Sequence, residues 1–151
     1  MNRPNSSPRA RILFLDDDPV RASTFLADHP QAIWVQTVDD CVGCLEESWD
    51  EIHLDHDLCG ESNVDHSRPD CGMAVVRWIL QEPRPQLKST RFVVHSRNMN
   101  AASVMLFHLE VAGYLVQDRP FRLKPSQWNR RGGPVKRVVA RLRRFLLAAP
   151  R

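Results

Sequence analysis

Apolar residues along this chain gather in short runs that alternate with stretches of helical spacing. Arg11-Ile12-Leu13-Phe14-Leu15-Asp16 is an apolar run closed by acids, the pattern of a central strand covered on both faces. Asp18-Pro19 then reads as a helix start, a capping carboxylate followed by Pro at the first helical position. Val20, Phe25 and Leu26 give that helix its apolar face, and it ends near His29-Pro30. A second strand is predicted from Ala32 to Val38, and Asp39 or Asp40 caps a helix through about Ser48. Glu51-Ile52-His53-Leu54 is a third strand, running straight into Asp55-His56-Asp57. A long polar loop follows from about Cys59 to Asp70, a length at a strand end that often carries function.

Gly72 to Gln81 reads as the next helix, with Met73, Val76, Trp78, Ile79 and Leu80, broken by Pro83 and Pro85. A strand at 91–96 runs into His95-Ser96-Arg97-Asn98, and Asn98 caps a helix. Ala101, Val104, Met105, His108, Leu109 and Ala112 share one face of it, which predicts a core position for His108. Gly113 stops this helix and Tyr114 to Gln117 is the last strand. Pro125 to Pro134 reads as a linker, and Pro134 to about Ala148 as a final helix with an apolar stripe from Val135 to Leu146. Strand and helix alternate throughout, which implies a parallel sheet with helices on both faces, a doubly wound α/β fold. The expected organisation is a frayed 1–10, an α/β domain over 11–121, a basic linker over 122–133, and an amphipathic helix over 134–151 packed on the same domain.

Composition adds little to this until charge is mapped. Hydrophobic content of 42% and charged content of 26% are ordinary for a globular chain of 151 residues. No apolar run approaches a membrane span, so a cytoplasmic location and reduced thiols at Cys41, Cys44, Cys59 and Cys71 are expected, with no membrane partner. Cys41-Val-Gly-Cys44 lies within a predicted helix and has no second cysteine pair, so packing is its expected role. The net charge of +3 conceals an asymmetry. Residues 1–118 hold 10 Lys/Arg and 18 Asp/Glu, a net of −8, whereas 119–151 hold 11 Lys/Arg and no acid, a net of +11. Such a tail either binds nucleic acid or an acidic partner, or lies against the acidic body.

Three strands ending in chemically capable residues point to one shared site at the carboxyl edge of the sheet, where open parallel sheets hold their ligands. Asp16, Asp17 and Asp55 are expected to converge there, and carboxylates so close call for a divalent cation. Mg²⁺ or Mn²⁺ is the first expectation, with Zn²⁺ or Fe brought in by the histidines. His56 and His95, at the strand ends, are candidate acid–base groups. His53 is either a deeper site member or a buried, hydrogen-bonded histidine. Arg97 and Arg119, with Ser96 and Asn98, are the candidate phosphate contacts.

Ile12-Leu13-Phe14-Leu15-Asp16-Asp17-Asp18-Pro19, Leu54-Asp55, Ser96 and Arg119-Pro120-Phe121 stand in the order and places of the motifs of response-regulator receiver domains. The resemblance implies a flavodoxin-like fold over about residues 11–121. It also implies a metal held by the paired acids, by Asp55 as phosphoacceptor and by the backbone carbonyl of Asp57, with Ser96 and Arg119 at the phosphoryl oxygens. The chain departs from that pattern in carrying Arg119 for the family's Lys and in its longer loop after Asp55. His53-Leu54-Asp55-His56-Asp57-Leu58 with His95-Ser96-Arg97-Asn98 resembles the divergent cyclic-phosphate processing branch more closely. That resemblance implies a metal-dependent phosphoesterase for cyclic phosphates of nucleotides or RNA ends. The alternative is a phosphoacceptor or non-catalytic signalling module that binds a divalent metal and a protein partner.

Overall fold

A computed structural model describes residues 10–120. The five strands β1 (Ile12–Leu15), β2 (Ile33–Val35), β3 (Glu51–Leu54), β4 (Arg91–Val94) and β5 (Leu115–Asp118) form one sheet in the order β2-β1-β3-β4-β5, with every pair parallel. Between them run α1 (Pro19–Asp28), α2 (Val38–Cys44), α3 (Gly72–Leu80) and α4 (Met99–Val111). This is the parallel, doubly wound sheet the alternating pattern predicts, in the flavodoxin-like form that the receiver-domain resemblance implies. The linker, the basic helix and Trp128 in the expected 122–151 region lie outside the described residues. No helix among the described residues is long and apolar enough to cross a membrane.

Sequence dictates the layering. β1 is buried at every position, and alternate residues serve opposite faces of the sheet. Leu13, Leu15, Ile52, Leu54 and Phe92 pack with α2, α3 and α4 in the larger core. Ile12, Phe14 and Trp34 pack with Ala22 and Phe25 of α1 in a smaller one. Cys41 and Cys44 belong to the larger core, and all four cysteines are free.

Several boundaries differ from the sequence reading. β2 is only Ile33–Val35, because Thr37 leaves the strand to cap α2, its Oγ1 accepting from the Asp40 amide at 3.1 Å. Thr37, not Asp39 or Asp40, is therefore the cap, and the helix stops at Cys44 rather than near Ser48. His108 is exposed, not core. Apolar side chains occur all round α4, with Met99, Phe107 and Val111 also exposed, so its periodicity does not reveal which face is inward. Asp18 and Asn98 cap α1 and α4 as expected, and Gly113, at φ +84°, follows the end of α4.

The loop from Asp55 to Cys71 is tied down by its own side chains. Asp57 accepts from the amides of Asn63 (2.7 Å) and Val64 (3.1 Å), and Arg68 pairs with Glu61 and Asp70. Leu58 and Val64 anchor it in the core.

Candidate functional site

The strand register builds the site. Leu15 is paired with Leu54, and Leu54 with Val94, across β1, β3 and β4. The next residues are therefore neighbours at the carboxyl edge: Asp16, Asp55 and His95, each 3% exposed or less. One ligand atom from each lies within 4.8 Å of the others. Two carboxylate oxygens and an imidazole nitrogen make a donor set suited to a divalent cation, the nitrogen favouring Mn²⁺ or Zn²⁺ over Mg²⁺. Trp34 fixes the first of these positions by donating its Nε1–H to the backbone carbonyl of Asp16 at 2.6 Å.

Arg21 enters the cluster from the first turn of α1. Its Nε and Nη2 donate to the two oxygens of Asp16, each at 2.8 Å, and Nη2 also reaches Asp55 Oδ2 at 2.6 Å. His95 Nε2 lies 3.2 Å from Asp16 Oδ2, with its ring stacked on Phe14 at 4.8 Å. These contacts treat the two acids differently. Burial alone would raise the pKa of Asp16, but hydrogen bonds to His95 and Arg21 outweigh it and hold the carboxyl below its usual range. Asp55 is pushed up, chiefly by burial and further by the charge of Asp16, with His95 and Arg21 only partly opposing. Burial opposes the charge on Arg21 as well, yet Asp16 and Asp55 more than offset it and raise the guanidinium pKa.

The remaining candidates are spread around this centre. Asp17 lies outside the ligand group; its carboxylate accepts from the Gly60 amide and stands 3.7 Å from Arg21. The Asp57 side chain is spent on the loop, on Asn98 Nδ2 (3.1 Å) and on His56 Nδ1 (2.8 Å). His56 is thus fully buried beside Asp57 rather than gathered with the carboxylate pair. Burial opposes its protonation, but Cys71 and Asp57 raise its pKa, and its charge in turn lowers that of Cys71 against the effect of burial. Asn98 Oδ1 caps α4 by accepting from Ala101 at 3.2 Å, so its amide is committed to structure at both ends.

Ser96 is buried next to His95, and its hydroxyl helps to lower the pKa of Asp55. Arg97 is exposed at the same edge. Arg119 is exposed too, and its Nη2 donates to Gln117 Oε1 at 3.1 Å. It borders a cleft of about 510 Å³ on the α1 side, walled by Phe14, Phe25, His53 and His95. His53 resolves as the buried, hydrogen-bonded histidine, 3.0 Å from Glu51 Oε2, and burial pushes its pKa down to about 4.

Sequence reasoning missed Arg21 and Trp34. A signal for Arg21 was present: Asp18 is the cap, so Arg21 falls at the third helical position, where a cation meets the positive end of the helix dipole. A cation in that position needs acids nearby.

No curated protein and no solved structure matches the chain. One family model, described as the cyclic-phosphate processing receiver domain, matches residues 11–111. With its five-stranded parallel sheet and its acidic strand ends, the chain belongs to the cyclic-phosphate processing receiver domain family.

Proposed function

We propose that this protein is a cation-assisted phosphoesterase acting on cyclic phosphates of nucleotides or RNA ends. The observation carrying this reading is the buried grouping of Asp16, Asp55 and His95 at one edge of the sheet, their ligand atoms within 4.8 Å of one another. A signalling module needs an acceptor carboxylate and a cation, but it has no need of an imidazole in that group. In this reading Asp16 and Asp55 are the carboxylate ligands, and a bound divalent cation supplies polarisation of a phosphoryl oxygen. Asp16 orients His95 through their 3.2 Å contact, and His95 moves the proton at the leaving oxygen. Ser96 and Arg97 lie at the same edge and hold the phosphate's remaining oxygens.

The test is hydrolysis of 2′,3′-cyclic and 3′,5′-cyclic nucleotides, and of a 2′,3′-cyclic phosphate RNA end, with Mg²⁺, Mn²⁺ and Zn²⁺ in turn. Turnover is expected with at least one pair, falling by about 10²–10⁴-fold in His95→Asn with cation affinity retained. Loss of cation affinity in that variant would instead make His95 a ligand. Acetyl-phosphate labelling of Asp55 without turnover on any substrate would overturn the enzyme reading and leave a phosphoacceptor module.

A further inference from the structure

Asp16 has no lone pair to spare. Oδ1 accepts from the Asp18 amide and from Arg21 Nη2, both at 2.8 Å. Oδ2 accepts from Arg21 Nε at 2.8 Å and faces His95 Nε2 at 3.2 Å. A carboxylate has about four lone-pair directions, so these four contacts saturate it. Asp55 is engaged on both oxygens as well, by the His56 amide at 2.7 Å and by Arg21 Nη2 at 2.6 Å. The donor common to the two acids is Arg21 Nη2. It lies between the two carboxylates, the groups that would hold a cation. A divalent ion takes the same oxygens at about 2.0–2.6 Å, and a guanidinium at the same position would be repelled by it.

We propose that Arg21 is the resident counter-charge of the Asp16–Asp55 pair, and that a divalent cation binds only by displacing it. This rests on the cation reading above and adds what sets the affinity of that site. In the absence of a cation the guanidinium keeps two buried carboxylates compensated, and the carboxyl edge stays folded. A way out exists, since the Arg21 side chain is 16% exposed. Asp17 at 3.7 Å and the capping Asp18 at 3.8 Å, both less buried than Asp16, are its next partners, in the segment that leads into α1. The third acid of the Asp16-Asp17-Asp18 run therefore has a purpose beyond capping. Together with Asp17 it receives the displaced cationic side chain.

Displacement makes Arg21 pairing and ion binding mutually exclusive, a negative coupling for which values of about 5–150-fold are typical. The experiment is Mn²⁺ binding by the intact chain, read from the paramagnetic resonance of the free ion, in wild type and Arg21→Gln. Affinity is expected to rise about tenfold or more in the variant. Its melting temperature in chelator should fall below that of wild type, and Mn²⁺ should close the gap. Equal or weaker affinity in Arg21→Gln overturns the proposal while leaving the cation site standing. Binding to neither protein overturns the cation reading and the proposal with it. If Arg21→Gln does not fold without cation, the wild-type Arg21 Nε–H resonance, assigned with Arg21→Lys, gives the answer. Saturating Mg²⁺ should move or broaden it, and an unchanged signal while Mg²⁺ binds overturns the displacement.

Discussion

Gly72 meets the backbone of Asp55: a Cβ at Gly72 would overlap the Asp55 carbonyl oxygen, and the Gly72 amide donates to the His56 carbonyl at 2.9 Å. The start of α3 is thereby pressed against the end of β3, directly behind a residue of the candidate site. Backbone on both sides of the contact leaves no flexible group to yield. Gly72→Ala should cost about 3 kcal/mol, at the upper end for overpacking. Because relief requires Asp55 to move, the variant should also lose cation-induced stabilisation. Denaturant unfolding with and without Mn²⁺ checks both. A variant as stable as wild type would mean that the two segments separate at no cost.

The proposed cation site gives a second expectation. Any ligand that binds the folded state alone raises its stability by mass action, by about 2.7 kcal/mol at a hundredfold excess over Kd. Mg²⁺ or Mn²⁺ should therefore raise the melting temperature of the wild type. Asp55→Asn removes one of the two carboxylates yet leaves Asp16 to hold Arg21, so the variant should fold but show little or no rise. An equal rise in both proteins would remove Asp55 from the ligand set.

The ends of the central strands were legible in the sequence and the rotation of the helices on the sheet was not, for a physical reason. Buried parallel strands such as Ile12–Leu15 appear as apolar runs closed by polar residues, so Asp16, Asp55 and His95 could be found from their own segments. Their meeting follows from strand register alone. Arg21 reaches the same centre from α1, and its approach depends on how that helix is rotated on the sheet, which local pattern does not specify. His56 is buried with its Nδ1 2.8 Å from Asp57, a pairing of adjacent side chains that the strand-end pattern does not reveal. His108 was misjudged because apolar residues surround α4 on every side.

Trp34 is expected to matter for the site as well as for the core. Its Nε1–H satisfies the Asp16 carbonyl at 2.6 Å in a buried setting. Trp34→Phe keeps much of the apolar surface but leaves that carbonyl without its donor, a loss of about 1–3 kcal/mol. Since the carbonyl belongs to the residue proposed to orient His95, the proposed phosphoesterase activity should fall more steeply than stability accounts for. Unfolding free energy and kcat/KM measured on the same variant separate the two effects. A stability loss with unchanged kcat/KM would confine Trp34 to the core.

His53 makes the protein sensitive to mild acid. Burial holds its imidazole pKa near 4 in the folded chain, against 6.5 for the unperturbed group, while Glu51 only partly opposes the shift. The sign follows from which state takes the proton first. Above the unfolded value neither state is protonated at His53, and the residue adds no pH dependence. As the pH falls below 6.5 the unfolded chain binds a proton that the folded chain refuses, so stability declines until the folded pKa near 4 is reached. A difference of this size corresponds to about 3 kcal/mol across the window. Glu51, whose own pKa is lowered by His53 and Arg91 despite the opposing effect of burial, acts in the same direction at lower pH. Its contribution is present above the unfolded carboxyl value and fades as the pH drops through the folded one. His53→Gln keeps a neutral donor beside Glu51 but cannot titrate. It should be less stable than wild type near neutrality, where only packing is lost, and the gap should narrow steadily toward about pH 4.5. Urea unfolding of both proteins at intervals from about pH 7.5 to about pH 4.5 gives the comparison. A gap that stays constant over that range would show that His53 takes up its proton in the folded protein as readily as in the unfolded chain.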